Sequence, residues 1–343
     1  MLSGIKSIIK LNNKNMTELQ NQTVLVTGGA GFIGSHLCEK LLSLGAKVVC
    51  MDNLFTGKEE NMSTFANHEN FKYVQADANN KKELREVFEN NKLDYVFHYA
   101  AILGVKRVIE QPLLVLEDLI GIEEILKLSK EFGIKKVLFS SSSEAYGFST
   151  NLPLREDDGH EFENNQNDHV HMYALVKLMG EKIMRVYNDR YGVPTCSLRF
   201  FNVFGPRQES SAYGFVAGVF IEQVIKNQAP TVFGDGFQTR DFIYVRDNVD
   251  LAIKAMIKPE TNGQVINIGV GRQTTIVDLA ERVIKISGKD LKPKFVEGRV
   301  EIKYRSPDTT KMHKLLESKI EDRLDENLKI TYESYLKRYG QQN

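Results

Sequence analysis

Short apolar runs alternate with amphipathic stretches through the first two-thirds of the chain. "TVLVTG" is a β-branched run that stops at a glycine. "GSHLCEKLLSLG" then sets Leu37, Leu41 and Leu42 at helical spacing and ends on Gly45. "KVVCMDN", "FKYVQAD", "LDYVFHYAA", "KKVLFSSSS", "TCSLRFFNV" and "QVINIG" continue the series of strands. Apolar strands separated by helices predict an α/β fold, a doubly wound parallel sheet covered on both faces with right-handed crossovers. Beyond about residue 204 the rhythm loosens, and "GPRQESSAYG" and "FGDGFQTRDF" read as long loops between isolated helices. Residues 21–203 are therefore expected to form the larger domain. Residues 204–343 are expected to form mostly a smaller lobe, with some strands returning to the main sheet. Residues 1–20 read as an extension in which Ile5, Ile8, Ile9 and Leu11 are interrupted by Lys and Asn, too broken for a signal peptide.

Charge and cysteine usage narrow the function classes. Lys plus Arg and Asp plus Glu number 45 each, so the formal net charge is zero. No nucleic-acid-binding stripe and no polybasic membrane patch is present, and no segment is long and apolar enough to span a bilayer. An anionic substrate must then be held by a few placed cations. Cys38, Cys50 and Cys196 are scattered, without C-x-x-C or metal-ligand spacing. Reduced thiols, a cytoplasmic location and no metal are the expectation.

Candidate chemistry begins in "GGAGFIG", where Gly28, Gly31 and Gly34 follow a strand and open a helix. Lacking Cβ atoms, such a turn lets the backbone approach a pyrophosphate, which rests on the helix N-terminal N–H groups. Asp52, about 20 residues on at the end of the second strand, is placed to accept both ribose hydroxyls of adenosine and to repel a 2′-phosphate. The cofactor expected is NAD, with Asn53 beside it. Asp77 after the third strand either meets the adenine edge or caps a loop. On a predicted helix, Tyr173 and Lys177 stand four residues apart and share one face. A phenol ordinarily titrates near pH 10; a neighbouring ammonium and a positive nicotinamide ring would both favour phenolate. The serines of "FSSSSEAYG" follow a buried run directly, so a hydroxyl there can donate to a sugar oxygen while the tyrosine removes its proton.

"TGGAGFIG", "DNLFTGKEEN", "FHYAA", "SSSSEAYG", "YALVK", "RFFNVFGPRQ" and "GDGFQTRDFIYVRD" occur in one order from about Thr23 to Lys311. Together they resemble the extended short-chain dehydrogenase/reductase family, specifically its NAD-dependent nucleotide-sugar epimerases, dehydratases and decarboxylases. The resemblance implies a Rossmann-type sheet with a smaller C-terminal α/β substrate-binding lobe. It implies catalytic roles for Ser142, Tyr173 and Lys177, with Glu144 as a further candidate. Cofactor contacts are implied at Gly28, Gly31, Phe32, Ile33, Gly34, Asp52, Asn53, Asp77, Ala78, Ala100 and Lys177. Substrate contacts are implied at Ser142, Ser143, Asn202, Arg207, Arg240 and Arg299, the arginines suiting a diphosphate. A UDP-sugar substrate and a homodimer, through helices around 106–132 and 173–191, are likewise implied.

Some positions depart from the family pattern. Asp118 stands where the family commonly has Asn, Gly121-Ile122 replaces a Gly-Thr pair, and Ala78 replaces an aliphatic residue. The spacing after Arg299 is a residue shorter than in common 4-epimerases. Dehydratases of the family carry an Asp-Glu pair after the catalytic Ser/Thr, whereas this chain has Ser143 and Glu144. UDP-glucuronate decarboxylases carry a similar Ser-Glu pair, but "MYALVK" and "GDGFQTRDFIYV" look more like 4-epimerases. The expectation is a 4-epimerase acting on a UDP-hexose or UDP-N-acetylhexosamine through a 4-keto sugar, with decarboxylation the leading alternative. A role limited to binding NAD would be expected to have lost one of Ser142, Tyr173 or Lys177, and all three are present.

Overall fold

The computed structural model describes residues 16–102, 110–162, 171–210, 215–298, 302–318 and 320–340. Seven strands form the main sheet: β1 (Thr23–Thr27), β2 (Lys47–Asp52), β3 (Phe71–Gln75), β4 (Tyr95–His98), β5 (Lys136–Ser142), β6 (Thr195–Phe200) and β11 (Gln264–Ile268). Their spatial order is β11-β6-β5-β4-β1-β2-β3 and every pairing is parallel. All seven strand expectations are met.

The strands are apolar along their length because both faces are covered. Alternate residues of β1 serve different cores: Val24 and Val26 belong to one, Leu25 to the other. In β2, Val48 and Cys50 face the first core while Val49 and Met51 face the second. The first core is closed by α1 (Phe32–Ser43) through Leu37 and Leu41, and by α6 (Val245–Ile257) through Leu251 and Ile253. The second is closed by α2 (Lys81–Glu89), α3 (Pro112–Phe132) and α4 (Met172–Tyr191) through Leu84, Val87, Ile125 and Met184.

Chain beyond residue 204 does not stay apart, since β11 pairs with β6 and α6 packs on the sheet. The rest surrounds small two-stranded pairings. β7 (Asn202–Phe204) lies parallel to β10 (Phe242–Tyr244), β8 (Thr231–Phe233) parallel to β13 (Lys294–Val296), and β9 (Thr239–Arg240) antiparallel to β12 (Thr274–Thr275). Helices α5 (Val216–Ile225), α7 (Ile276–Ser287), α8 (Thr310–Leu316) and α9 (Leu324–Gly340) complete this part. Strand order reverses between β1 and β4, and a crevice opens there at the carboxyl ends of the strands, as open α/β sheets require.

Candidate active site

At the end of β1 the chain turns at Gly28, whose φ of +69° falls in the left-handed region. A Cβ on Gly28 would stand 2.8 Å from the Ala100 backbone nitrogen, and one on Gly34 would overlap the Gly28 carbonyl oxygen. The first turn of α1 is thereby drawn against the strand end. Gly31 at its N-cap offers no side-chain acceptor, leaving the leading N–H groups directed at the crevice.

Asp52, buried at the end of β2, holds this turn. Its Oδ2 accepts from the Ala30 N–H at 2.9 Å and its Oδ1 from the Leu54 N–H at 2.8 Å. Burial pushes its pKa up, and the N–H groups of Leu54, Ala30 and Gly31 oppose that. Each carboxylate oxygen keeps further acceptor capacity, so the expected diol contact fits beside the structural one. Asn53 donates to Asp77 at 3.0 Å, and Asp77 accepts from the Asn79 N–H at 2.8 Å. The loop-capping reading of Asp77 therefore holds, whatever it does for adenine. Asn61, the last residue of "DNLFTGKEEN", has no role assigned by its spacing: its amide donates to the Ala30 carbonyl at 2.8 Å.

The opposite end of the crevice is built by β5 and α4. Lys177 donates to the Ser140 carbonyl at 2.7 Å, and its Nζ lies 4.7 Å from the Phe139 ring centroid and 5.6 Å from that of Tyr173. Burial draws the Lys177 pKa down to about 8, against the pull of Asp118 and Glu181. Tyr173 does not show the lowered phenol expected from its sequence context. Desolvation pushes its pKa up, the Ser142 hydroxyl opposes this by hydrogen bonding, and Glu144 and Asp118 reinforce it. The Lys177 ammonium is committed to a carbonyl and is too weak a neighbour to reverse the burial.

One turn beyond Lys177, Glu181 fixes the assembly. Its Oε1 accepts from Ser141 at 2.5 Å, and its two oxygens take the Arg199 guanidinium at 2.8 and 2.7 Å, all inside the core. Arg199 also covers the Tyr146 ring, 4.3 Å from its centroid. Neither Glu181 nor Arg199 was singled out from sequence, because only the fold brings β6 alongside α4.

One cavity of about 330 Å³ connects the two ends. Of the expected cofactor contacts, Gly28, Gly31, Phe32, Ile33, Gly34, Asp52, Asn53, Asp77, Ala78, Ala100 and Lys177 all line it. So do Ser142, Ser143, Glu144, Tyr173, Asn202 and Arg207. Arg207, at a φ of +67°, is turned toward α1, where Glu39 accepts from it at 2.9 Å and Thr64 at 3.2 Å. Arg240 stands on β9 outside the lining, donating to the Thr239 carbonyl at 2.8 Å, and Arg299 lies outside the described residues. The structure adds a pair that spacing did not reveal. The buried Arg305 guanidinium reaches Glu144 at 2.9 Å and donates to the Gly147 carbonyl at 2.9 Å.

Among the described residues no His, Cys, Asp or Glu cluster is arranged to hold a metal, and no helix is long and apolar enough to cross a membrane. The cradle at Gly34 and the open helix N-terminus fit a dinucleotide's pyrophosphate. A glycine cradle that fits a dinucleotide at one end of the cavity and Ser142, Tyr173 and Lys177 at the other line one continuous site. Fold and site thus define a nicotinamide-dependent enzyme of the short-chain dehydrogenase/reductase class.

The comparisons name the branch. The model of the "NAD dependent epimerase/dehydratase family" matches residues 24–269, and the chain belongs to that family. It is an NAD-dependent enzyme of the epimerase group. A UDP-N-acetyl-alpha-D-glucosaminuronate decarboxylase of Bacillus cytotoxicus is 35% identical over 299 residues, spanning 85% of this chain and 90% of that one. A UDP-glucuronate 4-epimerase of Thermodesulfobacterium geofontis is 32% identical over 320 residues, 90% of this chain and 94% of the other. The crystal structure of a UDP-glucose 4-epimerase of Thermotoga maritima with UDP-glucose superposes with a TM-score of 0.85 at 32% identity, covering 93% of this chain and all of that one.

Proposed function

We propose that the protein is a nucleotide-sugar 4-epimerase that inverts C4 of a UDP-hexose or UDP-N-acetylhexosamine through a transient 4-keto sugar. The observation that carries this reading is that Ser142 at the end of β5 and Tyr173 on α4 line one cavity wall, with Lys177 buried one turn along the same helix. Ser142 donates to the sugar O4, and Tyr173 takes the proton from that hydroxyl and later returns it. Lys177 holds the nicotinamide ribose. Gly28, Gly31, Gly34 and Asp52 hold the pyrophosphate and the adenosine ribose, while Asn202 and Arg207 face the substrate. Bound NAD supplies a reversible hydride acceptor for C4. The test is incubation with a panel of UDP-, GDP- and dTDP-sugars, with products read by NMR and mass spectrometry. The expected product has unchanged mass and inverted C4; loss of water or CO₂ from every substrate turned over would overturn the reading.

A second reading, decarboxylation of a UDP-hexuronate, is favoured by the Glu144–Arg305 pair. Glu144 lines the cavity beside the serines, and the buried Arg305, outside the lining, holds its carboxylate there. The similarity to the B. cytotoxicus decarboxylase supports it too. Release of CO₂ from UDP-glucuronate or UDP-N-acetylglucosaminuronate, with loss of the C6 carbon, would establish it.

Assembly is proposed as a homodimer through α3 and α4, which pack side by side. Leu113, Ile120, Leu175, Met179 and Val186 leave apolar side chains on their outer face, Leu113 being 75% and Met179 51% exposed. Met179→Glu should convert a dimer into a monomer in sedimentation velocity; an unchanged sedimentation coefficient would argue against this face.

A further inference from the structure

Asp118 is a buried carboxylate in the wall of the cavity, and its surroundings give it a role. The carboxylate is 4% exposed and lines the cavity from α3. Its Oδ1 accepts from the Asn79 amide at 3.1 Å, on the loop after β3, and its Oδ2 from the Ile102 N–H at 3.0 Å, on the loop after β4. Both of those loops line the cavity. An asparagine could make the same two contacts, accepting from Ile102 and, with its amide turned, donating to the Asn79 carbonyl oxygen. What only an aspartate adds is charge.

We infer that Asp118 is the internal counter-charge of the active site, a positioning residue whose carboxylate sustains the Lys177 ammonium and biases the bound cofactor toward its oxidised, cationic form. The charged and titratable groups around it come from each neighbouring element. Burial pushes the Asp118 pKa up; Lys177 on α4, the Ile102 N–H and the Asn79 amide oppose this, and Asp77 after β3 adds to it. Tyr173 feels the carboxylate as a repulsion of its phenolate, and Glu181 shares with Asp118 the support of Lys177. A nicotinamide ring carries a positive charge when oxidised and none when reduced. A carboxylate buried in the wall of the same cavity therefore favours NAD⁺ over NADH. The bias serves an enzyme that must give its hydride back, because it keeps the reduced state from accumulating. The inference rests on the family's NAD dependence and not on the identity of the sugar, so it can fail independently of the 4-epimerase reading.

The test compares dissociation constants for NAD⁺ and NADH, measured without sugar. In Asp118→Asn the preference of the wild-type protein for NAD⁺ should fall about tenfold, the scale of one partly screened charge. In Asn79→Ala, which removes a donor and keeps the charge, the preference should stay near the wild-type value. A preference in Asp118→Asn within about threefold of wild type would overturn the inference, and so would its loss in Asn79→Ala. Loss of lysine charge gives a second readout. Without the carboxylate the Lys177 pKa falls further, so the alkaline decline of turnover in Asp118→Asn should begin at lower pH than in wild type; an unmoved or upward-moved limb counts against the role.

Discussion

Tyr173→Phe should lower sugar-nucleotide turnover by about 10²–10⁴-fold while leaving NAD affinity close to wild type. The phenol is the group placed to take a sugar proton, and Phe keeps the ring that packs in the cluster with Val115 and Val176. Its pKa in the cofactor-free site is pushed up by burial, so ionisation depends on positive charge gathered at that end of the cavity. Lys177 contributes only while protonated, and burial has drawn its pKa down to about 8. Wild-type turnover should accordingly hold its value up to about pH 8. It should decline above about pH 8 as the ammonium is lost. Steady-state kinetics across pH checks both statements, and turnover within about tenfold of wild type would remove Tyr173 from the catalytic role.

Glu181→Ala should be the most destabilising single substitution near the site, lowering unfolding free energy by about 3–5 kcal/mol. The carboxylate is one half of an ion pair whose two members are each 2% exposed. Removing it leaves the Arg199 guanidinium in the core without a counter-charge and deprives the Ser141 hydroxyl of its acceptor. Glu181→Gln keeps the shape and one acceptor and should cost less. Urea denaturation followed by circular dichroism measures both; a loss below about 1 kcal/mol for the alanine variant would show that the core relaxes around the arginine. The consequence for activity is indirect. Glu181 lies one turn past Lys177 and binds α4, which carries Tyr173 and Lys177, to β5, which ends on Ser142, and to β6.

Much of this was legible beforehand because the relevant physics is local. The alternation of short apolar runs with amphipathic helices predicts the parallel sheet, and the cores explain why: in β1 and β2 successive residues face opposite hydrophobic layers, so no polar face is permitted. The glycine turn is legible too, since the contacts that exclude side chains at Gly28 and Gly34 come from within the motif or from the adjacent strand end. Tyr173 and Lys177 share a face by helical spacing alone. The less legible features depend on partners distant in sequence. Arg305 meets Glu144, and Arg207 turns back on Glu39 and Thr64. No spacing rule links such residues, because loops of the second half are carried to the first by the way β11 and α6 return to the main sheet.

Sequence by itself determined the fold class, the glycine turn after β1 and the shared face of Tyr173 and Lys177, since periodicity, glycine placement and i, i+4 spacing act over a few residues. Only the tertiary structure decided the electrostatics: that burial raises the Tyr173 phenol, that Asp118 supports Lys177, and that Arg305 stands against Glu144. Desolvation and long-range charge pairing depend on what surrounds a group from every side, and those surroundings exist once the chain has closed upon itself.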